Sequence, residues 1–204
     1  MVQMTSPKGI ANYPYLNEAD TKFVADGEYK VNLALEDNEV TQKFLSKLEA
    51  TRDNLLADFA PLKEAKAKGK RVNLADLYDE DGEGNIILKL KQKAIIRTKD
   101  GKSFEKKVAL FDRHGKPMTD LIGYGSTIKA CFGVCPYYTP STKLAGVSLR
   151  LVAVQVIDLK SGNNEDASSY GFGEEEGTYE ATGSEAEAMG FDEDDDDYDE
   201  ASNF

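Results

Sequence analysis

Strict alternation of apolar and polar residues over short segments most constrains what this chain can fold into. In residues 29–35 every second position is apolar: Tyr29, Val31, Leu33 and Leu35. Successive side chains of a β-strand point to opposite faces, so this pattern predicts a half-buried strand. The same pattern predicts strands over residues 86–97, 104–111, 127–138 and 146–157.

One segment has the spacing of a helix instead. After Asn38, which is suited to a helix N-cap, apolar residues recur at helical intervals: Val40, Phe44, Leu48, Leu55 and Phe59. The helix should end before Pro61. Residues 1–27 hold scattered aromatics among turn formers, and we interpret them as an arm with little regular structure. Five strands with one helix after the first predict a mainly β fold, a small barrel or sandwich, and favour a five-stranded OB-type barrel.

The charge of the chain divides near residue 160. Residues 161–204 contain sixteen Asp or Glu and no Lys or Arg, whereas residues 1–160 contain 25 basic and 21 acidic residues. The body therefore carries +4 and the tail −16. We expect one folded domain over residues 1–160 and a disordered acidic tail over residues 161–204, whose few apolar residues cannot offset the entropy of ordering. A mildly basic body can bind an anionic partner, for which its own tail competes.

The residues argue against three classes of function. No apolar run approaches the roughly 20 residues that span a bilayer, and the N-terminus lacks the apolar region of a secretory signal, so we expect a soluble intracellular protein. His114, the single histidine, lies in a Gly/Pro turn, and the body offers no convincing acid–base pair, so we predict no enzyme activity. Cys131 and Cys135 would lie about 13 Å apart on one strand, too far for a disulfide. We expect no metal and no cofactor.

Three lysines on one face of the second predicted strand form the strongest binding signal. Lys89, Lys91 and Lys93 occupy alternate positions and so repeat about every 6.6 Å. Like charges so placed repel one another, and their spacing is comparable to that of phosphates along a nucleic-acid backbone. The alternative is an ordinary solvated exterior of the barrel. Further cations on neighbouring strands could join the same site: Arg97, Lys106, Lys107, Lys129 and Arg150.

Two consecutive tyrosines offer a candidate platform for base stacking. Proteins that bind single strands without reading sequence need flat side chains, each worth about 1–3 kcal/mol per stacked base. Tyr137 and Tyr138 end the fourth predicted strand, and because they cannot both point inward, one should be exposed. The alternative is packing against a neighbouring loop. Tyr13 and Tyr15 present the same choice, and there we favour packing.

Six different short motifs are spread along the body, and one further feature lies at the end of the tail. They are residues 27–31 (GEYKV), 111–112 (FD), 115–118 (GKPM), 122–126 (IGYGS), 136–137 (PY) and 146–151 (GVSLRL). The acidic tail ends in Phe204. Taken together and in this order, these motifs resemble the T7-type phage single-stranded DNA-binding proteins over most of the chain.

The resemblance implies an OB fold that coats single-stranded DNA during phage replication, recombination and repair, in the cytoplasm of the infected bacterium. Tyr137 matches the tyrosine in the family's loop between the last two strands, which implies that it contacts bases. The family's nearby tryptophan is absent; Thr139 stands near its place, and Tyr138 can substitute. The family also implies a homodimer.

The resemblance assigns a role to the tail as well. In the family, the tail contacts the phage DNA polymerase and helicase–primase, with the terminal Phe as the anchor. We therefore expect partner-binding residues at Phe204 and in the acidic run Asp194, Asp195, Asp196 and Asp197. The rival interpretation is an acidic-tailed protein-interaction module, a chaperone or DNA-mimicking inhibitor, that binds no DNA of its own.

Overall fold

The computed structural model describes residues 2–98 and 100–160, which fold mainly into β-structure. Within them lie eleven strands and two helices. The strands are β1 (Val2–Thr5), β2 (Gly9–Asp20), β3 (Glu28–Leu35), β4 (Asn73–Leu74), β5 (Asp79–Glu80), β6 (Ile86–Lys93), β7 (Ile95–Arg97), β8 (Ser103–Glu105), β9 (Ala109–Phe111), β10 (Thr127–Thr139) and β11 (Leu144–Asp158). The helices are α1 (Glu39–Asp58) and α2 (Ala60–Ala67). Neither described helix is both long and apolar enough to cross a membrane.

Five strands pair in a closed ring, in the order β10, β2, β3, β6, β11 and back to β10. Parallel pairing of Arg150 with Lys91 joins β11 to β6, and a long antiparallel ladder joins β11 to β10. The apolar faces of these strands form one core, which includes the fully buried Val31, Leu33, Leu88, Leu90, Ile128, Phe132, Val134 and Leu151. This confirms the prediction of a mainly β fold with five strands around one core.

The expected irregular arm over residues 1–27 is wrong, because this region contains β1 and β2, and β2 belongs to the ring. The alternation of β2 is hard to recognise in the sequence. Register shifts interrupt its pairing with β3 on both sides of Tyr15, and Tyr13 has a positive φ of 51°. The buried residues Gly9, Ala11 and Leu16 are therefore unevenly spaced.

The prediction of a single strand over residues 104–111 is also wrong. The segment divides into β8, which pairs with β7 in a separate two-stranded sheet, and β9, which pairs with β11. Between them, the backbone N–H of Lys106 donates to the carbonyl of Ala94 at 2.7 Å. Ala94 itself interrupts the predicted strand over residues 86–97, so the backbone leaves the ring at the end of the lysine row.

The predicted helix is confirmed, and a second helix follows it. Asn38 caps α1, since its side-chain oxygen accepts the N–H of Thr41 at 3.0 Å. The helix α1 ends before Pro61, which lies in the first turn of α2, where its missing N–H is not needed. The predicted helix follows residues 29–35, as expected, although that strand is the third in the chain and the second helix was not predicted. Phe44 of α1 meets Phe132 edge-on, with 6.3 Å between ring centroids, so α1 packs on the core.

The predicted acidic tail, residues 161–204, lies outside the described residues. The expected partner-binding residues, Phe204 and residues 194–197, lie there too. The division into a domain and a disordered tail therefore stays a prediction.

Candidate nucleic-acid interface

A groove of about 690 Å³ crosses the outer face of the ring over β6 and β11. The strand β7, the end of β10 and residues 76–79 also line the groove. Six of the residues predicted to bind DNA line it: Lys89, Lys91, Lys93, Arg97, Tyr137 and Arg150. They come from four strands, so the pairing of the strands is what brings them together.

The lysines of β6 face the groove because every second residue of that strand is buried. Lys89, Lys91 and Lys93 are the exposed residues of the alternation, at about 6.6 Å per step. Arg150 of β11 lies opposite Lys91 in the ladder. The row of cations is therefore two strands wide at its centre.

Carboxylates in the groove offset most of this positive charge. Three ion pairs are present: Lys89–Asp79, Lys91–Glu28 (3.5 Å from Nζ to Oε2) and Arg97–Asp26 (2.5 Å from Nη2 to Oδ1). With Asp76, the lining holds five cationic and four anionic side chains. The cationic end of each pair is more than half exposed, and ion pairs in contact with solvent contribute only about 0–1 kcal/mol each, so a phosphate can displace these carboxylates.

Tyr137 enters the groove from β10 and lies over Gly146 of β11. The two residues face each other across the ladder. A Cβ on residue 146 would lie 2.9 Å from the hydroxyl oxygen of Tyr137 and 3.1 Å from its Cζ. Glycine fits here because any side chain on residue 146 would force the Tyr137 ring or another neighbour to move. The ring is only partly buried, so it retains surface on which a base can stack.

Tyr138 points away from the groove, towards the helices. It packs against Leu56, Leu62 and Ala145. Its hydroxyl is buried and meets no hydrogen-bond partner among the described residues. The two consecutive tyrosines thus take opposite sides of β10, and Tyr137 alone of the two lines the groove.

The other predicted cations do not line the groove. Lys106 and Lys107 lie between β8 and β9, and Lys107 pairs with Glu105 at 3.7 Å. Lys129 of β10 lines a smaller cavity of about 290 Å³, together with Cys131. The assignment of these three lysines to DNA binding stays a prediction.

Sequence reasoning missed most of the apolar and aromatic lining of the groove, which includes Tyr78, Ile95 and Ile96. Ile95 interrupts the cationic face of the predicted strand, and this break in the alternation is a signal that could have pointed to a special position. Tyr78 precedes an acidic turn and has no comparable signal. Its position depends on the pairing of β5 with β6.

The outer face of the sheet continues from the groove across β3 to β2. Cross-strand register aligns, in order, Arg150, Lys91, Lys30 and Tyr15. The Lys30 ammonium donates to Asp20 at 2.5 Å, and this hydrogen bond raises the pKa of Lys30 and lowers the pKa of Asp20. Tyr13 and Tyr15 are 70% and 43% exposed, so neither is buried, although the Tyr13 ring meets that of Tyr124 with 6.3 Å between centroids. The expected packing on a neighbouring loop is therefore limited to this one contact of Tyr13.

His114, Asp112 and the two cysteines were considered for catalysis or metal binding, and the structure gives each of them an ordinary environment. His114 lies in a turn in which the Asp112 carboxylate accepts the backbone N–H groups of Lys116 and His114 at 2.8 Å each. These bonds, led by that from Lys116, lower the pKa of Asp112. Cys131 and Cys135 are free thiols. Within residues 2–98 and 100–160, no three His, Cys, Asp or Glu side chains cluster as metal ligands would.

A family model described as the single-stranded DNA-binding protein of bacteriophage T7 matches residues 8–159. Among solved structures, gp2.5, a single-stranded DNA-binding protein encoded by bacteriophage T7, is similar with a TM-score of 0.68 and 23% identity, over 81% of this chain and 97% of that one. A single-stranded DNA-binding protein from bacteriophage Enc34 is similar with a TM-score of 0.50 and 11% identity, over 83% of this chain and 90% of that one. At these identities the two structures show a shared fold. The comparison with curated proteins found no significant match.

The family match covers both the ring of strands and the groove. Residues 8–159 include all five strands of the ring. They also include every residue that lines the groove. The chain therefore belongs to the family of single-stranded DNA-binding proteins described for bacteriophage T7.

Proposed function

We propose that this chain is a non-enzymatic, sequence-independent single-stranded DNA-binding protein whose DNA site is the groove over β6 and β11. One observation carries the proposal: five cations and the Tyr137 ring converge in a single groove. Membership of a single-stranded DNA-binding family supports it. The predicted lack of enzyme activity is tested by incubating DNA with the protein and Mg²⁺, which should leave the DNA uncut.

In this mechanism the cations contact phosphates and Tyr137 stacks on a base. The lysine and arginine side chains bind the phosphate charge, which is the same at every nucleotide. The aromatic ring stacks on a flat face that every base has. Binding therefore does not depend on sequence. As DNA enters, its phosphates replace Asp79 and Glu28 beside the lysines of β6. Each phosphate contact releases counterions and contributes about −0.7 to the slope of log affinity against log salt.

The test is the salt dependence of binding to a labelled oligothymidine, followed by fluorescence anisotropy. Tyr137→Ala should weaken binding by about 1–3 kcal/mol with little change of slope. Lys91→Gln should make the slope shallower by about 0.7. Phe104→Ala is the matched aromatic control, because Phe104 is exposed on β8 and does not line the groove. An affinity indifferent to salt, or unchanged by both groove variants, would contradict the proposal.

We also propose a division of labour between residues 1–160 as the DNA-binding domain and residues 161–204 as a tail that competes with DNA and recruits partners. The opposite charges of the two segments support it. The family resemblance suggests phage DNA polymerase and helicase–primase as partners, a homodimer as the assembly, and phage replication, recombination and repair in the cytoplasm of the infected bacterium as the setting. The anchors are Phe204 and the acidic run of residues 194–197.

Deleting Phe204 alone separates the two roles. DNA affinity should stay almost unchanged, because one apolar residue adds nothing to the charge of the competitor. Binding to the polymerase or helicase–primase should weaken. Equal losses in the two assays would contradict the division of labour.

A further inference from the structure

An aromatic and cationic cluster lies outside the groove, formed by Tyr15, Lys22, Phe23 and Lys30. Phe23 is 81% exposed and Tyr15 is 43% exposed. The Lys30 ammonium lies 4.9 Å from the centroid of the Tyr15 ring and 6.0 Å from that of Phe23. The Lys22 ammonium lies 5.5 Å from the Phe23 centroid. Cation–π contacts thus hold two solvent-facing rings around a pair of ammonium groups.

The cluster continues the cross-strand row of the groove. Lys30 of β3 pairs with Lys91 of β6, and Tyr15 of β2 pairs with Lys30. Neighbouring strands lie about 4.8 Å apart, so the backbone of Tyr15 is only about 10 Å from that of Lys91. A nucleic-acid strand that crosses β11 and β6 therefore meets Lys30 and Tyr15 if it continues in the same direction.

Packing does not explain the Phe23 ring. A Phe23 side chain that is 81% exposed contributes little to any core. Lys30 is already neutralised by Asp20, so it does not need the rings to be stable. Lys22 forms no ion pair with any carboxylate of the described residues, and its charge remains available for an anion.

We propose that Tyr15 and Phe23 form a second base-stacking site with Lys22 as its phosphate contact. Single-stranded DNA then runs from Tyr137 across β6 and β3 to β2. The inference rests on the proposed function. It adds a second site, whose residues do not line the groove. A base stacks on the exposed surface of the Phe23 ring while the lysines stay in contact with the rings.

A tryptophan reporter tests this site directly. The chain contains no Trp, so Phe23→Trp in the full-length protein introduces a single Trp, whose emission can be excited apart from that of the ten tyrosines. On titration with an oligothymidine of about 12 nucleotides, within the range that OB folds cover, its emission should fall in parallel with the rise in anisotropy of labelled DNA. Val40→Trp is the control: Val40 is 64% exposed in the first turn of α1 and does not line the groove, so its Trp should keep its emission.

Affinity gives a second measurement. The double variant Tyr15→Ala, Phe23→Ala should bind the same oligothymidine about tenfold more weakly than wild type, which corresponds to one lost stacking contact. Phe104→Ala should bind like wild type. Thermal melting of each variant checks that the ring of strands is intact.

The outcomes separate this inference from the function on which it rests. If labelled DNA binds while the Trp at position 23 keeps full emission, and the double variant binds as tightly as Phe104→Ala, the second site is refuted and the groove proposal stands. Equal quenching of the two Trp reporters would also refute it, because the quenching would not be local. If wild type binds no oligothymidine, the groove proposal itself fails.

Discussion

At the scale of single residues, Gly146 determines where the Tyr137 ring can lie. A Cβ on residue 146 would approach the Ala75 Cβ and the Tyr137 hydroxyl oxygen to 2.9 Å each. Contacts this short require a neighbour to move. The backbone of β11 is held by its ladder with β10, so the Tyr137 side chain is the more movable group.

Gly146→Ala should therefore disturb both the fold and the binding of DNA. We expect a loss of about 1–3 kcal/mol in the free energy of unfolding and a weaker affinity for oligothymidine, measured by urea denaturation and anisotropy. Gly82→Ala is the matched control, because a Cβ there meets nothing within 4 Å. If Gly146→Ala matched Gly82→Ala in both measurements, the ring would not depend on the glycine.

The hydrogen bond between Lys30 and Asp20 predicts a pH-dependent stability. It lowers the pKa of Asp20 below the ordinary 3.8, so the folded state favours the charged carboxylate. The stabilisation is present above pH 3.8 and is lost as the pH falls through the lowered pKa. Asp20→Asn should thus be less stable than wild type near neutral pH, and the difference should shrink in acid.

Urea denaturation over a pH series measures this difference. Asp58→Asn is a suitable control, since its ion pair with Lys63 is exposed at both ends and contributes little. A difference between Asp20→Asn and wild type that stays constant into acid would show that the charge of Asp20 is not the cause.

At the scale of elements, the sequence predicts those whose apolar pattern is clear over most of their length. The strands β3, β10 and β11 and the helix α1 lie where their patterns indicate, although two register shifts interrupt the ladder between β10 and β11. The strand β2 is hidden because register shifts and the positive φ of Tyr13 break its period. The lysine row of β6 was predictable because it depends on local alternation alone.

The carboxylates of the groove could not be predicted in the same way. Asp79 reaches Lys89 only because β5 pairs with β6, and Asp26 reaches Arg97 from a loop 71 residues away along the chain. Such contacts depend on tertiary pairing, which no local spacing reveals. The groove is therefore less positive than its lysine row suggests.

These carboxylates predict that removing one should improve binding. Asp79→Asn frees Lys89 for a phosphate and removes a negative charge from the groove. We expect affinity for oligothymidine to rise by up to about fivefold, the equivalent of one exposed ion pair. Asp53→Asn in α1 removes the same charge outside the groove lining and should change affinity little. A similar gain in both variants would indicate a general effect of net charge.

At the scale of the whole molecule, the proposed mechanism places a binding groove and its competitor in one chain. The body carries +4 and residues 161–204 carry −16. A segment tethered to its own binding site acts at an effective concentration on the order of millimolar. Even weak attraction between tail and groove would then reduce the apparent affinity for DNA.

Deleting residues 161–204 should therefore tighten binding to oligothymidine, and the gain should be largest at low salt. Salt screens exposed charges over about 10 Å at 0.1 M, so the truncated and full-length proteins should converge in affinity as salt rises. A full-length variant in which an uncharged Gly/Ser segment of equal length replaces the tail separates charge from chain length, and it should bind like the truncated protein. If it binds like wild type instead, the acidic residues are not the competitor. If the truncated body stays folded but binds no DNA at modest salt, the groove is not the DNA site, and the acidic-tailed interaction module becomes the better account.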